Sequence, residues 1–213
     1  MASNPPLLSD YITQVQRLLH DSNQSYWTIN ELTDYINWAR NRVVADTGCN
    51  RILQIVTLNA GQETYPWASL PSGVNTFDVL NLTVIWNSMR VPCNYMTFTE
   101  FNLKMRAWKS FQSRPVTFSV YGQNTVYVAP IPDQTYQSEW DTVVAPAVLV
   151  NQTDQDTIPF PFSEPVPFYA AYLAKYNEQS VQEADLLLKS YSQKIGAALR
   201  SSFTRRIANQ YQM

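Results

Sequence analysis

Apolar positions recur at two different periods and divide the chain into three stretches. Leu8, Tyr11, Ile12, Val15, Leu18 and Leu19 fall three and four residues apart, the stripe that one face of an α-helix buries. Asn4, Pro5 and Pro6 precede it, and proline is tolerated where helix N–H groups lack partners anyway. The polar run Asp21-Ser22-Asn23-Gln24-Ser25 ends this helix. Thr28, with Glu31 three residues on, is a capping box that opens the next. Ile29, Leu32, Ile36, Ala39 and Val43 give the second helix its apolar face, and Gly48 stops it. Two amphipathic helices joined by a short polar loop predict an antiparallel hairpin.

From Arg51 the period drops to two. Ile52 to Leu58 is β-branched and strand-like. Phe77–Trp86 and Arg90–Tyr95 flank Asn87-Ser88 and predict a hairpin with a two-residue turn. A second hairpin sets Val116, Phe118 and Val120 against Val126 and Val128 across Gly122-Gln123-Asn124, and Thr135–Val144 is a further strand. Between the hairpins, Thr97 and Glu100 make a capping box before a short helix carrying Phe101, Met105 and Trp108.

The helical period returns near the end. Pro159-Phe160-Pro161-Phe162 predicts an extended lead-in, because proline biases the residue before it away from helix. Phe168, Tyr169, Tyr172, Leu173 and Tyr176 line one helix. Ser180 and Glu183 cap the last, which runs through Leu187, Leu188, Tyr191, Ile195, Ala198, Leu199 and Phe203. The fold class is therefore α+β. The N-terminal helix pair (1–50) and the C-terminal pair (159–213) form a helical bundle, and a β-rich insertion carrying a short helix (51–158) has its own core.

Composition narrows the function. Only 15% of residues are charged, against roughly 25% in a typical domain, and 16 Asn and 16 Gln fill the gap, which suits wide polar contacts. A net charge of -2 argues against bulk attraction to nucleic acid or an anionic membrane. No apolar run approaches the roughly 20 residues of a membrane-spanning helix. The start, MASNPPLLSD, lacks the features of a secretory signal, and two cysteines make no disulfide framework, so assembly in a reducing cytoplasm is expected.

The residues offer little for catalysis or cofactors. His20, the single histidine, sits beside Asp21 at a helix end with no nucleophile at a useful spacing. Cys49 and Cys93 lie too far apart in sequence for a zinc pattern. Five dispersed glycines make no phosphate-cradling loop. No catalytic, cofactor-binding or metal-ligating residue is assigned. Glu139 and Asp141 share a strand face, as a glycosidase pair or a calcium site would, though a solvated sheet face is the simpler reading. Asp154 and Asp156 fall in a polar loop. Trp67, Trp86, Trp108 and Trp140 suit a sugar platform or, more simply, a β core and subunit interface.

One asymmetry remains. After Asp185 no acidic residue occurs, while Lys189, Lys194, Arg200, Arg205 and Arg206 follow. Cations complement a helix C-terminus, but that effect fades beyond the last turn. The polar tail that follows ends in Tyr211, Gln212 and Met213, in the manner of a peptide that orders on docking.

Several signatures together resemble the head-to-tail adaptor (connector, head-completion, tubular tail A-like) proteins of tailed bacteriophages. Leu8-Ser9-Asp10-Tyr11-Ile12, Trp27-Thr28 and Leu32-Thr33-Asp34-Tyr35-Ile36-Asn37-Trp38-Ala39 resemble that family's N-terminal helix pair. Arg114-Pro115-Val116-Thr117-Phe118 and Val126-Tyr127-Val128-Ala129-Pro130-Ile131-Pro132-Asp133 resemble its strand–hairpin stretch, and Ile158-Pro159-Phe160-Pro161-Phe162 its return to helix. The β insertion is long for the family's minimal members. The resemblance implies a structural virion protein of the neck, without catalysis. It implies a homo-oligomeric ring of about twelve copies around the DNA channel, between the portal protein and the tail nozzle or fibre proteins. Passing contact with genomic DNA and none with a membrane follow. Portal docking would fall to the C-terminal segment, with Arg200, Arg205, Arg206, Tyr211 and Met213 as candidates. Two other classes compete. One is a carbohydrate-binding or glycan-processing tail component using the β-region aromatics. The other is a duplex-DNA binder using the basic final helix.

Overall fold

The computed structural model describes residues 5–23, 25–106 and 111–204. Five helices and eight strands run in the order α1 (Leu8–Leu19), α2 (Ile29–Thr47), β1 (Arg51–Leu58), β2 (Thr64–Pro66), β3 (Thr76–Trp86), β4 (Met89–Pro92), β5 (Asn94–Tyr95), α3 (Phe98–Lys104), β6 (Thr117–Tyr121), β7 (Thr125–Ala129), β8 (Tyr136–Val144), α4 (Val166–Asn177) and α5 (Val181–Thr204) among the described residues. The α+β class is as expected. The chain divides into two compact units, one of residues 1–50 with 146–213, the other of residues 51–145.

In the helical unit, α4 packs against α1, α2 and α5. Its buried face is Val166, Pro167, Ala170, Ala171 and Ala174, not the aromatic stripe expected from sequence. Small side chains let neighbouring backbones approach closely, and Phe168, Tyr169 and Tyr172 are left half-buried at the margins. The tyrosines meet ring to ring, with Tyr169 4.9 Å from Tyr191 and 5.3 Å from Tyr172 between centroids. The lead-in to α4 is not extended. It folds into successive turns, with the N–H of Phe162 donating to the Pro159 carbonyl and that of Glu164 to Pro161.

Helix ends are satisfied as the sequence dictates at some positions and not at others. Thr28 and Glu31 exchange hydrogen bonds at the start of α2, and Gly48 ends it in the left-handed region at φ 61°, where a Cβ would be strained. By contrast Thr97 makes no side-chain cap on α3, and the Glu100 carboxylate pairs with Lys104 at 2.6 Å. The first turn of α1 is capped from afar: the N–H groups of Leu8 and Ser9 donate to the carbonyls of Asp154 and Gln152. Residues 146–158, read from sequence with the β-rich insertion, cluster with the helical unit.

The β unit is built from two sheets, ordered β1-β8-β3-β4 and β2-β7-β6-β5. The first is antiparallel throughout, and in the second β5 runs parallel to β6. The strand expected at Arg90–Tyr95 is thus split: Pro92 ends its pairing with β3, and Asn94 and Tyr95 cross to the other sheet. Asn87 and Ser88 form the tight turn, both at positive φ. Both sheets contribute to one core that includes Val56, Leu58, Leu82, Phe118, Val126 and Trp140. Trp140 is wholly buried. Its indole Nε1 donates to Ser138 Oγ at 2.7 Å, and that hydroxyl donates to the Val56 carbonyl at 2.6 Å, so no donor of the pair is left without a partner.

Candidate functional site

Polar and charged groups gather in three places. The first is a buried cluster in the helical unit. Arg40 projects from the apolar face of α2 and donates through Nε and Nη2 to Asp156 Oδ1, at 3.0 and 2.7 Å. Tyr11 donates from its hydroxyl to Asp156 Oδ2 at 2.5 Å, and the N–H of Ile158 donates to Oδ1 at 3.1 Å. Burial, with the Asp156 carboxylate beside it, pushes the Tyr11 phenol well above its ordinary range. Arg40 Nη1 reaches the Ala147 carbonyl and Asn37 Oδ1. Both carboxylate oxygens are engaged by neighbours, so Asp156 holds the fold together and is not the loose cation ligand that its sequence context allowed. Asp154 is likewise engaged, accepting the backbone N–H groups of Val150 and Asn151, which hold its carboxyl below the usual range. No cluster of three or more metal-ligating side chains occurs among the described residues.

The second place is the outer face of the β1-β8-β3-β4 sheet. Glu139 and Asp141 do share it, but each carboxylate carries a guanidinium. Arg90 Nε donates to Glu139 at 2.7 Å, and Arg51 pairs with Asp141. Each carboxylate is thus committed to a cation on a neighbouring part of the same sheet. Among the described residues the tryptophans do not assemble a platform. Trp67 and Trp140 are core residues, the Trp86 ring lies under the Arg114 guanidinium at 4.7 Å, and Trp108 falls outside the described residues.

The third place is α5. Lys189 is exposed. Lys194 is engaged locally, its ammonium 3.2 Å from Glu164 and over the Phe168 ring. Arg200 is exposed, with Nε donating to the Gly196 carbonyl at 3.1 Å. Arg205, Arg206, Tyr211 and Met213 lie outside the described residues. His20, at positive φ just past α1, is exposed, and Cys49 and Cys93 belong to different units.

Sequence reasoning missed Arg40 and the first strand's outer face. The signal for Arg40 was present: it stands among Ile36, Ala39, Val43 and Val44 at core spacing, where a charge requires a partner. In β1 the sequence is apolar on both faces, and only the structure shows that Leu53 and Ile55 face solvent while Val56 and Leu58 face the core.

Taken together, the described polar groups serve to hold two scaffolds, and exposed apolar side chains are spread over loops, strands and helices, among them Tyr26, Leu53, Ile55, Val148, Phe160 and Leu186. The chain belongs to the SU10 adaptor protein family, whose model matches residues 7–212. That membership agrees with the resemblance to phage head-to-tail adaptors and makes the chain a phage structural adaptor. None of the curated proteins compared with it matches the chain. No helix among the described residues is long and apolar enough to cross a membrane.

Proposed function

We propose that the chain forms a ring of about twelve copies that joins the portal of the phage head to the tail and lines the channel through which DNA passes. The carrying observation is the family match, which runs through both units and reaches into the C-terminal segment. Each part of the chain then belongs to the adaptor itself. In this reading the helical units stand side by side, and the segment from Arg200 to Met213 reaches the portal. Arg200, Arg205 and Arg206 meet portal acids, and Tyr211 and Met213 supply apolar contact. The exclusively basic charge after Asp185 supports that direction. The β unit meets nozzle or fibre proteins, no cofactor or catalysis is involved, and the protein resides in the neck of the virion.

Mixing the purified chain with isolated portal rings and imaging the product by electron microscopy tests this reading. A new ring layer, whose subunits can be counted, is the expected result, and its absence overturns the reading. Deleting Ser201 to Met213 should abolish docking while the circular dichroism spectrum keeps its helical and β content. A truncated chain that docks normally overturns the assignment of the tail.

A further inference from the structure

β1 is an edge strand whose only strand neighbour among the described residues is β8. It is eight residues long and holds no proline, and its single charge, Arg51, is occupied by Asp141. Ile52, Leu53 and Ile55 are 46%, 66% and 56% exposed. Soluble proteins guard such edges with charge, proline or bulges, because unpaired backbone N–H and C=O groups template another strand. β1 carries none of these guards.

The opposite edge of the same sheet is β4. Each neighbouring pair is antiparallel, so direction alternates through the four strands and the two edges run opposite ways. A second copy set alongside in the same orientation therefore presents its β4 antiparallel to β1, whereas an odd number of strands would not. The registers agree as well. Thr57, Gln137, Ile85 and Arg90 form one row across the sheet, and Ile55, Glu139, Thr83 and Pro92 another. β4 thus lies level with the C-terminal half of β1, and it too exposes an apolar side chain, Met89.

We propose that β1 of one copy pairs with β4 of the next, carrying the sheet from subunit to subunit. A contact between two different surfaces of identical copies is head-to-tail, the kind that closes into a ring when its rotation allows. The inference therefore rests on the ring reading and names one of its interfaces. Pairing gives partners to open backbone groups in the C-terminal half of β1 and at Arg90 of β4, with Pro92 able to offer only its carbonyl, and covers Ile55 at the seam. The competing arrangement, β1 against β1 about a twofold axis, would stop at a dimer.

Cysteine pairing tests it. In a Cys49→Ser, Cys93→Ser background, Thr57→Cys is combined with Arg90→Cys, the two ends of one row, and Ile55→Cys with Arg90→Cys is the second pair should the first chain fail to fold or the strands be offset by two residues. Within one copy β8 and β3 separate these positions by three strand spacings, about 14 Å, too far for an internal disulfide. Oxidation on portal rings should give a ladder of bands extending beyond the dimer on a non-reducing gel. A ring layer without a ladder from either pair overturns this interface and leaves the adaptor reading standing. A ladder in solution without a layer keeps the interface and overturns the portal reading, and neither product overturns both. A dimer band from Ile55→Cys alone assigns β1 to a twofold contact and overturns the head-to-tail pairing.

Discussion

Arg40 and Asp156, 116 residues apart, form an ion pair whose side chains are 1% and 0% exposed. The pair ties α2 to the segment that caps α1, and Tyr11 joins from α1 itself. Three separate pieces of chain thus meet at one carboxylate.

Removing one partner of a buried pair leaves an uncompensated charge. Arg40→Met should therefore cost about 3–5 kcal/mol of stability, read as a lower urea midpoint. Arg40→Met with Asp156→Leu should lose less than Arg40→Met alone, because no charge is then stranded. Tyr11→Phe should cost about 1.5–3 kcal/mol, as for a hydrogen bond to a charged group. A double variant no more stable than the single one would refute the pairing as the source of the effect.

Asp21 makes the turn between α1 and α2 sensitive to acid. Burial by itself would raise its pKa, but the backbone N–H groups of Tyr26, Ser25 and Trp27 donate to the carboxylate, at 2.8 to 3.0 Å, and lower it. The folded pKa lies below the unfolded value of about 3.9, so the contribution is fully present above that pH and is lost as pH falls through the folded pKa. Asp21→Asn should lower the melting temperature at neutral pH and flatten its decline between about pH 5 and pH 2, measured by thermal unfolding at each pH.

The turn joining β3 to β4 holds two L-residues at positive φ, Asn87 at 47° and Ser88 at 64°. Asparagine tolerates that conformation and serine less so. Ser88→Gly should stabilise the chain by about 0.5–1 kcal/mol, read as a higher melting temperature.

Both thiols are protected by their surroundings. Burial pushes Cys93 up to about 12 despite the opposing charge of Arg114, and burial raises Cys49 against a hydrogen bond from Thr47. At pH near 8 little thiolate exists at either position, so both should react slowly with iodoacetamide when folded and promptly in denaturant. Mass spectrometry of the alkylated chain checks this, and fast labelling of the folded protein at Cys93 would contradict its burial.

How much of this was legible depends on the range over which each feature is encoded. The capping box at Thr28 and Glu31, the stop at Gly48, the turn at Asn87-Ser88 and the hairpin around Gly122 each involve a few adjacent residues, and periodicity marks them directly. The stripe Leu8, Tyr11, Ile12, Val15 and Leu19 was equally plain and is buried as expected. The α4 face was misread because hydrophobic weight favours tyrosine over alanine, whereas close helix packing favours alanine. At Thr97 the box did not form, and the Glu100 carboxylate is taken by Lys104, one helical turn away.

The sequence by itself determined the α+β class, the order of the helices and longer strands, and membership of an adaptor family. Those properties rest on local period and on residues summed along the whole chain. Tertiary structure decided the rest: that β1 finds its partner in β8, that the carbonyls of Gln152 and Asp154 cap the first helix, and that Arg40 is answered by Asp156. A period states which face of an element must leave water, but not which distant surface will cover it. That choice is settled only when every buried donor, charge and apolar face must be satisfied at once, and the edge left over at β1 becomes visible only then.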